Sequence, residues 1–208
     1  MKLKTDKLYK YVRASEYINY DHPFIEKKAK ELKTGCFREI ELIEKTYKYV
    51  RDEIRHSFDA KDKIVSISAS DTIKNQTGMC YAKANLLAAL LRYHHIPTGI
   101  CYQKLTLGDT PESGYCIHAL NGVYIASLNK WIRLDARGNK EGVNSQFSIK
   151  EEKLAFSIRK EYGEIDYPFV YPEPLPRIIK VLEDSTDLLN TYKNQLPTEL
   201  NKEEQSVE

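Results

Sequence analysis

The sequence lacks an excess of charge of either sign, although charged residues are abundant. Thirty-two Lys and Arg residues stand against 30 Asp and Glu residues in a chain of 208. A chain this close to neutrality has no broad basic surface of the kind that attracts nucleic acid or an anionic membrane. The charge balance therefore predicts neither a nucleic-acid partner nor a membrane partner.

Long apolar segments are also missing. The first 20 residues lack the continuous apolar stretch of a secretory signal, and no later segment approaches the length needed to cross a membrane. These absences predict a soluble protein of the cytoplasm. Reducing agents keep cysteines as thiols there, so no disulfide framework is predicted. The four cysteines are Cys36, Cys80, Cys101 and Cys116.

Cysteine pairs with the spacing of metal ligands are absent as well. The chain has no C-x-x-C motif. The closest approach is Cys116-x-His118, whose side chains would share one face of a strand without a second pair nearby. The spacing argues against a zinc site, and the sequence predicts no metal and no other cofactor.

Apolar residues make up 41% of the chain, which is enough for a substantial core. Their spacing predicts an α+β fold. The predicted helices cover about residues 23–34, 38–58, 71–75, 80–93 and 177–196, and the predicted strands cover 98–107, 115–126 and 131–136. The last two strands are close enough in sequence to form a hairpin, so the sheet is predicted to be antiparallel.

The chain divides into four predicted segments. Residues 1–37 form an arm and a helix packed on the core, and residues 38–167 form the core domain. Residues 168–200 begin with four prolines in nine residues, which must be extended, and end in a helix packed on the core. The charged residues 201–208 are predicted to be a disordered tail.

Cys80 stands at the start of the most apolar predicted helix, two residues after Gly78. The first turn of a helix has unpaired N–H groups and the positive end of the helix dipole, and both stabilise a thiolate or an oxyanion. A cysteine beside an Ala- and Leu-rich helix is more often a small buried apolar residue. A nucleophile and a core residue are both consistent with this position.

A base and a carboxylate follow downstream, as a nucleophilic thiol requires. His118 lies in the middle predicted strand, and Asp135 lies near the end of the next one. A hairpin turn centred near Ala126 and Ser127 would set them opposite each other, whereas a turn at residues 128–129 would require a bulge. Either register leaves the two residues on neighbouring strands.

The other four histidines have simpler interpretations. His94 and His95 end the helix that Cys80 begins, roughly 20 Å away at about 1.5 Å per residue. Positive charge there complements the C-terminus of the helix. His22 and His56 fall at helix ends among polar residues, where a solvated surface position is expected.

Three ordered segments resemble the transglutaminase-like superfamily of papain-related cysteine enzymes: TGMCYAKANLLAALLRYHHIPTG, IHALNGVYI and WIRLDARG. In that family a glycine-x-cysteine opens a helix ending in LLR-x-x-x-IP, a His-Ala strand follows, and a Trp and an Asp lie on the next strand. The chain supplies Cys80, Leu90, Leu91 and Arg92 with Ile96 and Pro97, His118 with Ala119, and Trp131 with Asp135. With the helix before them, the likeness covers about residues 38–137.

The resemblance implies a papain-like fold, in which a central helix carrying Cys80 packs on an antiparallel sheet carrying His118 and Asp135. It also implies a Cys-His-Asp triad acting on a peptide or protein amide. The sulfur would attack the carbonyl, and His118 would protonate the departing amine. Water or a second amine would then resolve the thioester, as in a protease, a deamidase or a transglutaminase.

Several alternatives stay open. The same scaffold can serve as a catalytically silent binding module. Peptide N-glycanase relatives use the same triad to cleave a glycosylated asparagine amide. Gln76 is a candidate side-chain donor to an oxyanion, or only a polar loop residue. The loop of residues 108–114 and the proline-rich residues 168–176 are candidate cleft walls by position, or simply surface connections.

Overall fold

The computed structural model describes residues 1–108 and 110–206. Within them the chain forms helices and strands in the mixed order of an α+β fold, as predicted. The α-helices are α1 (Pro23–Lys33), α2 (Glu39–Glu53), α3 (Ala69–Asn75), α4 (Cys80–Arg92), α5 (Pro176–Glu183) and α6 (Leu188–Asn194). The strands are β1 (Lys2–Leu3), β2 (Arg55–His56), β3 (Thr77–Gly78), β4 (Thr98–Thr106), β5 (Tyr115–Ile125), β6 (Lys130–Leu134), β7 (Ile165–Asp166) and β8 (Phe169–Val170).

The main sheet is antiparallel and has the strand order β6-β5-β4-β7. Strands β4 and β5 pair without interruption, from Thr98 with Val123 to Thr106 with Tyr115. Strand β6 covers only the far half of β5, from residue 121 to residue 125. Within the described part of the chain, the half of β5 that carries residues 115–120 therefore has a strand neighbour on one side only.

Helix α4 is the centre of the fold, and all of its residues are buried. Its run of Ala and Leu combines high helix propensity with apolar surface all round, which suits a helix enclosed by other elements. The amide of Asn121, fully buried in β5, donates to the carbonyl of Ala84 at 3.0 Å and to that of Gly99 at 3.2 Å. These two bonds fasten α4 to the sheet.

Helix α2 ends at Glu53, five residues earlier than predicted, because Ile54 adopts an extended conformation. The chain then forms the short strand β2, which runs parallel to β3. The ammonium group of Lys83 donates to the carbonyls of Ile54 and Arg51, and burial lowers its pKa to about 7. A residue of α4 thereby satisfies carbonyls at the C-terminal end of α2.

The second face of the sheet is covered by a small cluster containing Tyr11, Leu120 and Val170. Gly99 makes this contact possible, because a Cβ there would lie only 2.6 Å from Cγ1 of Val170 and from the carbonyl oxygen of Tyr171. The N-terminal arm contributes further contacts through β1, which pairs with β8. The proline-rich segment is extended at this point, as predicted.

The predicted C-terminal helix is split into α5 and α6. Asp187 explains the break, because its carboxylate accepts hydrogen bonds from the backbone of Leu189 and Asn190 and so starts a new helix. One buried cluster joins the three predicted segments before the tail, through Ile25, Leu86 and Ile178 among others. No helix of the described residues is both long and apolar enough to cross a bilayer.

The end of the chain packs on the core as far as it is described. Lys4 donates to the carbonyls of Glu203 and Glu204, and the hydroxyl of Tyr171 donates to the carbonyl of Glu204 at 2.6 Å. Residues 201–206, which charge composition predicts to be a disordered tail, thus have contacts with the core that composition does not reveal. Residues 207 and 208 lie outside the described part of the chain.

Candidate active site

Cys80 is the first residue of α4, and 7% of its surface is exposed. Close packing just before the helix sets its position. A Cβ on Gly78 would lie 3.0 Å from Cβ of Ala82 and 3.2 Å from Cγ2 of Thr72, so a larger residue would push the chain away from α3 and α4. The first N–H groups of a helix have no partner within it, and that of Cys80 can therefore bind an oxyanion.

His118 and Asp135 form a buried pair, with Nε2 of the imidazole 2.8 Å from Oδ2 of the carboxylate. They are not direct cross-strand neighbours, because Leu134 pairs with Asn121 and the hairpin turn spans residues 126–129. Asp135 instead reaches the imidazole where the chain leaves β6. The structure thus brings the two predicted residues together through this bend.

Three hydrogen bonds hold Asp135 in place. The backbone N–H of Arg137 donates to Oδ1 at 3.1 Å, and that of Ala155 donates to Oδ2 at 3.2 Å. The hydroxyl of Ser145 donates to the Asp135 carbonyl at 2.7 Å, and its oxygen also lies 2.7 Å from the hydroxyl of Tyr47 in α2. The carboxylate is therefore tied to the chain that follows β6, and the backbone of Asp135 is tied to α2 through Ser145.

Each residue of the His118–Asp135 pair stabilises the charged form of the other. Burial lowers the pKa of His118, but the negative charge of Asp135, its hydrogen bond and the Cys80 side chain outweigh that effect and raise the pKa to about 10. Burial raises the pKa of Asp135, but the His118 cation and the two backbone hydrogen bonds hold it below its ordinary value. At neutral pH the pair is an imidazolium and a carboxylate.

Cys80 lines the same cleft as this imidazole, and its side chain is one of the groups that raise the pKa of His118. Since Nε2 is bonded to Asp135, Nδ1 is the ring nitrogen left for the sulfur. The structure therefore brings all three predicted residues together. A sulfur, a proton-carrying ring and an orienting carboxylate in this order are the parts of a thiol nucleophile with its base.

Cys80 and His118 line a cleft of about 790 Å³. Apolar side chains supply part of its surface, and charged side chains supply another part. The apolar group includes Phe58, Met79, Leu105, Val143, Phe156 and Leu196, and the charged group includes Arg137, Lys140, Glu141, Arg159, Glu164 and Lys193. A cleft of this volume matches a peptide segment or a single large side chain.

An ion-pair cluster ties two loops together beside the cleft. The guanidinium of Arg137 donates to both oxygens of Asp59, at 2.6 and 3.0 Å, and Lys140 donates to Oδ1 at 3.0 Å. Burial raises the pKa of Asp59, but these two cations lower it to about 2. The loop after β2 is thereby fixed to the loop that follows Asp135.

The prediction of a solvated surface position is wrong for His56. The residue is buried and lines the cleft, because α2 ends early and β2 places His56 beside Gly78, two residues before Cys80. Burial and the charge of Arg137 hold its pKa well below the ordinary value, so the ring is neutral at neutral pH. His22 instead caps α1, where its Nδ1 accepts from the backbone of Phe24.

The remaining predictions about the cleft are met in part. The side chain of Gln76 is exposed, donates to the carbonyl of Ile73 and does not line the cleft, which removes it as an oxyanion donor. Gly108 does line the cleft, whereas Asp109 lies outside the described residues. No described residue of the proline-rich segment 168–176 contributes to the cleft wall.

Sequence reasoning missed Phe156 and the C-terminal Tyr192 and Leu196 as parts of the cleft. Phe156 stands in an irregular segment without any period. The helical spacing around Tyr192 indicates only that the residue faces inward. No local signal tells which part of the interior it meets.

The four cysteines are free thiols, and Cys116 lines the cleft together with Cys80. Burial raises the pKa values of Cys101 and Cys116 to about 12. Among the described residues, no group of three His, Cys, Asp or Glu side chains is arranged to hold a metal ion.

Comparison with protein families gives one match, in which the model of the transglutaminase-like superfamily covers residues 25–136. The matched region contains Cys80, His118 and Asp135. No curated protein matches the sequence.

Several solved structures are similar to this one. A candidate cysteine protease from Cytophaga hutchinsonii is 21% identical, with a TM-score of 0.49 over 64% of this chain and 43% of that one. The periplasmic domain of TgpA from Pseudomonas aeruginosa is 16% identical, with a TM-score of 0.46 over 62% of this chain and 46% of that one. The chain thus spans less than half the length of either structure.

Proposed function

This chain belongs to the transglutaminase-like superfamily, and from that premise we propose that it is a cysteine-dependent enzyme that hydrolyses amides or transfers their acyl groups. Cys80 is the nucleophile, His118 is the acid and base, and Asp135 orients the imidazole. The substrate is a peptide or protein amide that enters the cleft beside Cys80.

Acylation begins when the Cys80 sulfur, as a thiolate whose proton is on His118, attacks the carbonyl carbon of the bound amide. The carbonyl oxygen becomes an oxyanion, which the backbone N–H of Cys80 stabilises. Collapse of this intermediate breaks the C–N bond, and the imidazolium of His118 gives its proton to the departing amine. The products are a free amine and a thioester on the sulfur.

Deacylation uses the same groups in the opposite direction. His118 is now neutral and takes a proton from the water or the primary amine that attacks the thioester. Water releases a carboxylic acid, and an amine forms a new amide. Asp135 stabilises the imidazolium as it forms again, and the sulfur leaves as the thiolate that began the cycle.

The observation that carries the proposal is the series of Cys80, His118 and Asp135, in which the first two line one cleft and the buried imidazole is hydrogen-bonded to the carboxylate. Burying an ion pair has a desolvation cost that apolar residues of similar size would avoid. Perturbed titratable groups in a cleft are common at catalytic sites. The series therefore favours an enzyme over a silent binding module.

Alkylation by iodoacetamide at neutral pH tests the nucleophile. Mass spectrometry of each cysteine should show Cys80 modified first, while Cys101 and Cys116 stay unmodified because burial raises their pKa values to about 12. Half-buried Cys36 is the internal standard for the labelling. His118→Ala should slow the modification of Cys80 by about tenfold or more.

Activity is tested with a set of peptides in the presence of a fluorescent primary amine. New peptide termini identify a protease. Ammonia release without incorporation of the amine identifies a deamidase, and incorporation of the amine identifies a transamidase. Each product should disappear in Cys80→Ala. If Cys80 reacts no faster than Cys36 and no product forms, the chain is a binding module and the proposal is wrong.

A further inference from the structure

The C-terminal part of the chain forms one wall of the cleft. Helix α6 and the turn after it place Tyr192, Lys193 and Leu196 on the cleft surface, beside residues that precede them by more than half the chain. The family match ends at residue 136, so this wall lies outside the matched region. It is a feature of this chain that the family likeness does not describe.

The wall is held firmly on both sides of its cleft-lining residues. Leu188 and Leu200 are each 2% exposed, and the backbone N–H of Leu200 donates to the hydroxyl of Tyr167 at 3.0 Å. Between them, the carbonyl of Pro197 accepts from the backbone N–H of Ile117 at 2.8 Å. Ile117 directly precedes His118, so the segment is attached to the strand that carries the proposed base.

Tyr192 contacts the aromatic ring of Phe58, a residue distant in sequence. Its ring stacks on that of Phe58, with the centroids 3.9 Å apart and the planes inclined by 19°. Phe58 belongs to the loop after β2, which the Arg137–Asp59 pair holds in place. Stacked rings at this distance are in van der Waals contact, so no substrate group passes between them.

The stacked pair also shares its cleft with the sulfur. Burial raises the pKa of Tyr192, and the neighbouring thiols of Cys116 and Cys80 raise it further. Phe58, Cys80 and Tyr192 line the same cleft. The aromatic pair is therefore part of the wall of the cleft into which the sulfur opens.

Resting on the function proposed above, we propose that Phe58 and Tyr192 are specificity-determining residues that form a closed aromatic wall next to Cys80. The wall admits acyl donors that are narrow beside the reacting carbon and excludes donors that carry a bulky group there. Rigid walls discriminate by size because a group that does not fit must displace packed side chains.

Two electrophiles with the same reacting group test the wall without knowledge of the natural substrate. Iodoacetamide is narrow, and its N-phenyl derivative adds one ring. The measured quantity is the ratio of their second-order rate constants at Cys80, N-phenyl over parent, with each rate divided by that of free glutathione. In Tyr192→Ala this ratio should rise about tenfold, because the cavity left by the ring accepts the phenyl group.

Three further variants separate size selection from other effects. Tyr192→Phe keeps the stack, so the ratio should stay as in the wild type. Phe58→Ala opens the wall from the other side, so the ratio should rise as in Tyr192→Ala, which also covers the case in which one variant fails to fold. Asn190→Ala, at an exposed position of the same helix, should change neither rate constant.

Two outcomes would overturn the inference. An unchanged ratio in both alanine variants would show that the aromatic pair does not select by size. An equal rise of both rate constants would show that the pair restricts access to the sulfur for every reagent, whatever its size. Failure of the proposed function looks different, because Cys80 would then react slowly with iodoacetamide in the wild type, whatever the ratio of the two reagents.

Discussion

The ring of Phe156 stands edge-on to the imidazole of His118, with the ring centroids 5.2 Å apart and the planes at 88°. The guanidinium of Arg137 lies 5.7 Å from the centroid of the same phenyl ring. Phe156 is thus placed between a cation and the proposed base. Because the preceding residue, Ala155, donates to Asp135, one short segment both orients the carboxylate and covers the imidazole.

Phe156→Ala should lower the pKa of His118 from about 10 toward its ordinary value of 6.5. Loss of the ring lets water reach the His118–Asp135 pair. Water relieves part of the burial that lowers the pKa of His118, but it weakens the attraction between the two charges more, since the charged pair outweighs burial in raising that pKa. NMR titration of the His118 ring protons measures the shift. Phe156→Leu, which retains apolar cover, is the control, and an unchanged pKa in the alanine variant would show that the ring does not shield the pair.

Asp135→Asn should remove a pH-dependent part of the stability. The pKa of His118 is raised on folding, so the pair contributes its full stability below pH 6.5, and that contribution is lost as the pH rises through about 10. The opposite loss, by protonation of Asp135, lies below its ordinary pKa of 3.8. The difference in unfolding free energy between wild type and variant should therefore be largest at pH 5–6.5 and shrink toward pH 10.

Urea unfolding at each pH measures this difference. The same variant should slow reaction at Cys80 by a factor on the order of 10² or more, since the imidazole loses its orientation and the charge that holds its proton. A difference in stability that does not vary with pH would contradict an ion pair between the two residues.

Asp59→Asn should destabilise the fold by about 2–4 kcal/mol, because it leaves the guanidinium of Arg137 buried without its anionic partner. The side chain of Arg137 is only 5% exposed. Asp184→Asn is a matched control, since it breaks a surface pair with Lys180 whose side chains are 60% and 70% exposed, and it should cost less than about 1 kcal/mol. Equal effects of the two substitutions in urea unfolding would refute a structural role for the Asp59 cluster.

Sequence patterns alone determined the central elements of this protein. The Ala- and Leu-rich run predicts α4 because intrinsic helix propensity and all-round apolarity agree, and Gly78 marks its start. The alternation of apolar and polar residues predicts β4, β5 and β6, because successive side chains of a strand point to opposite faces of the sheet. Since Cys80, His118 and Asp135 each lie at a recognisable point of these elements, the candidate site could be named from the order of short motifs.

Tertiary structure decided everything that depends on which distant segments meet. The hairpin register, the buried position of His56 beside Gly78 and the approach of Tyr192 to Phe58 arise from contacts between parts of the chain that carry no shared pattern. Local propensity describes how a residue's own backbone behaves, whereas these contacts follow from the packing of complete elements around one core. The motifs therefore indicated the candidate reacting groups, whereas the residues that line the cleft around them follow from the tertiary structure.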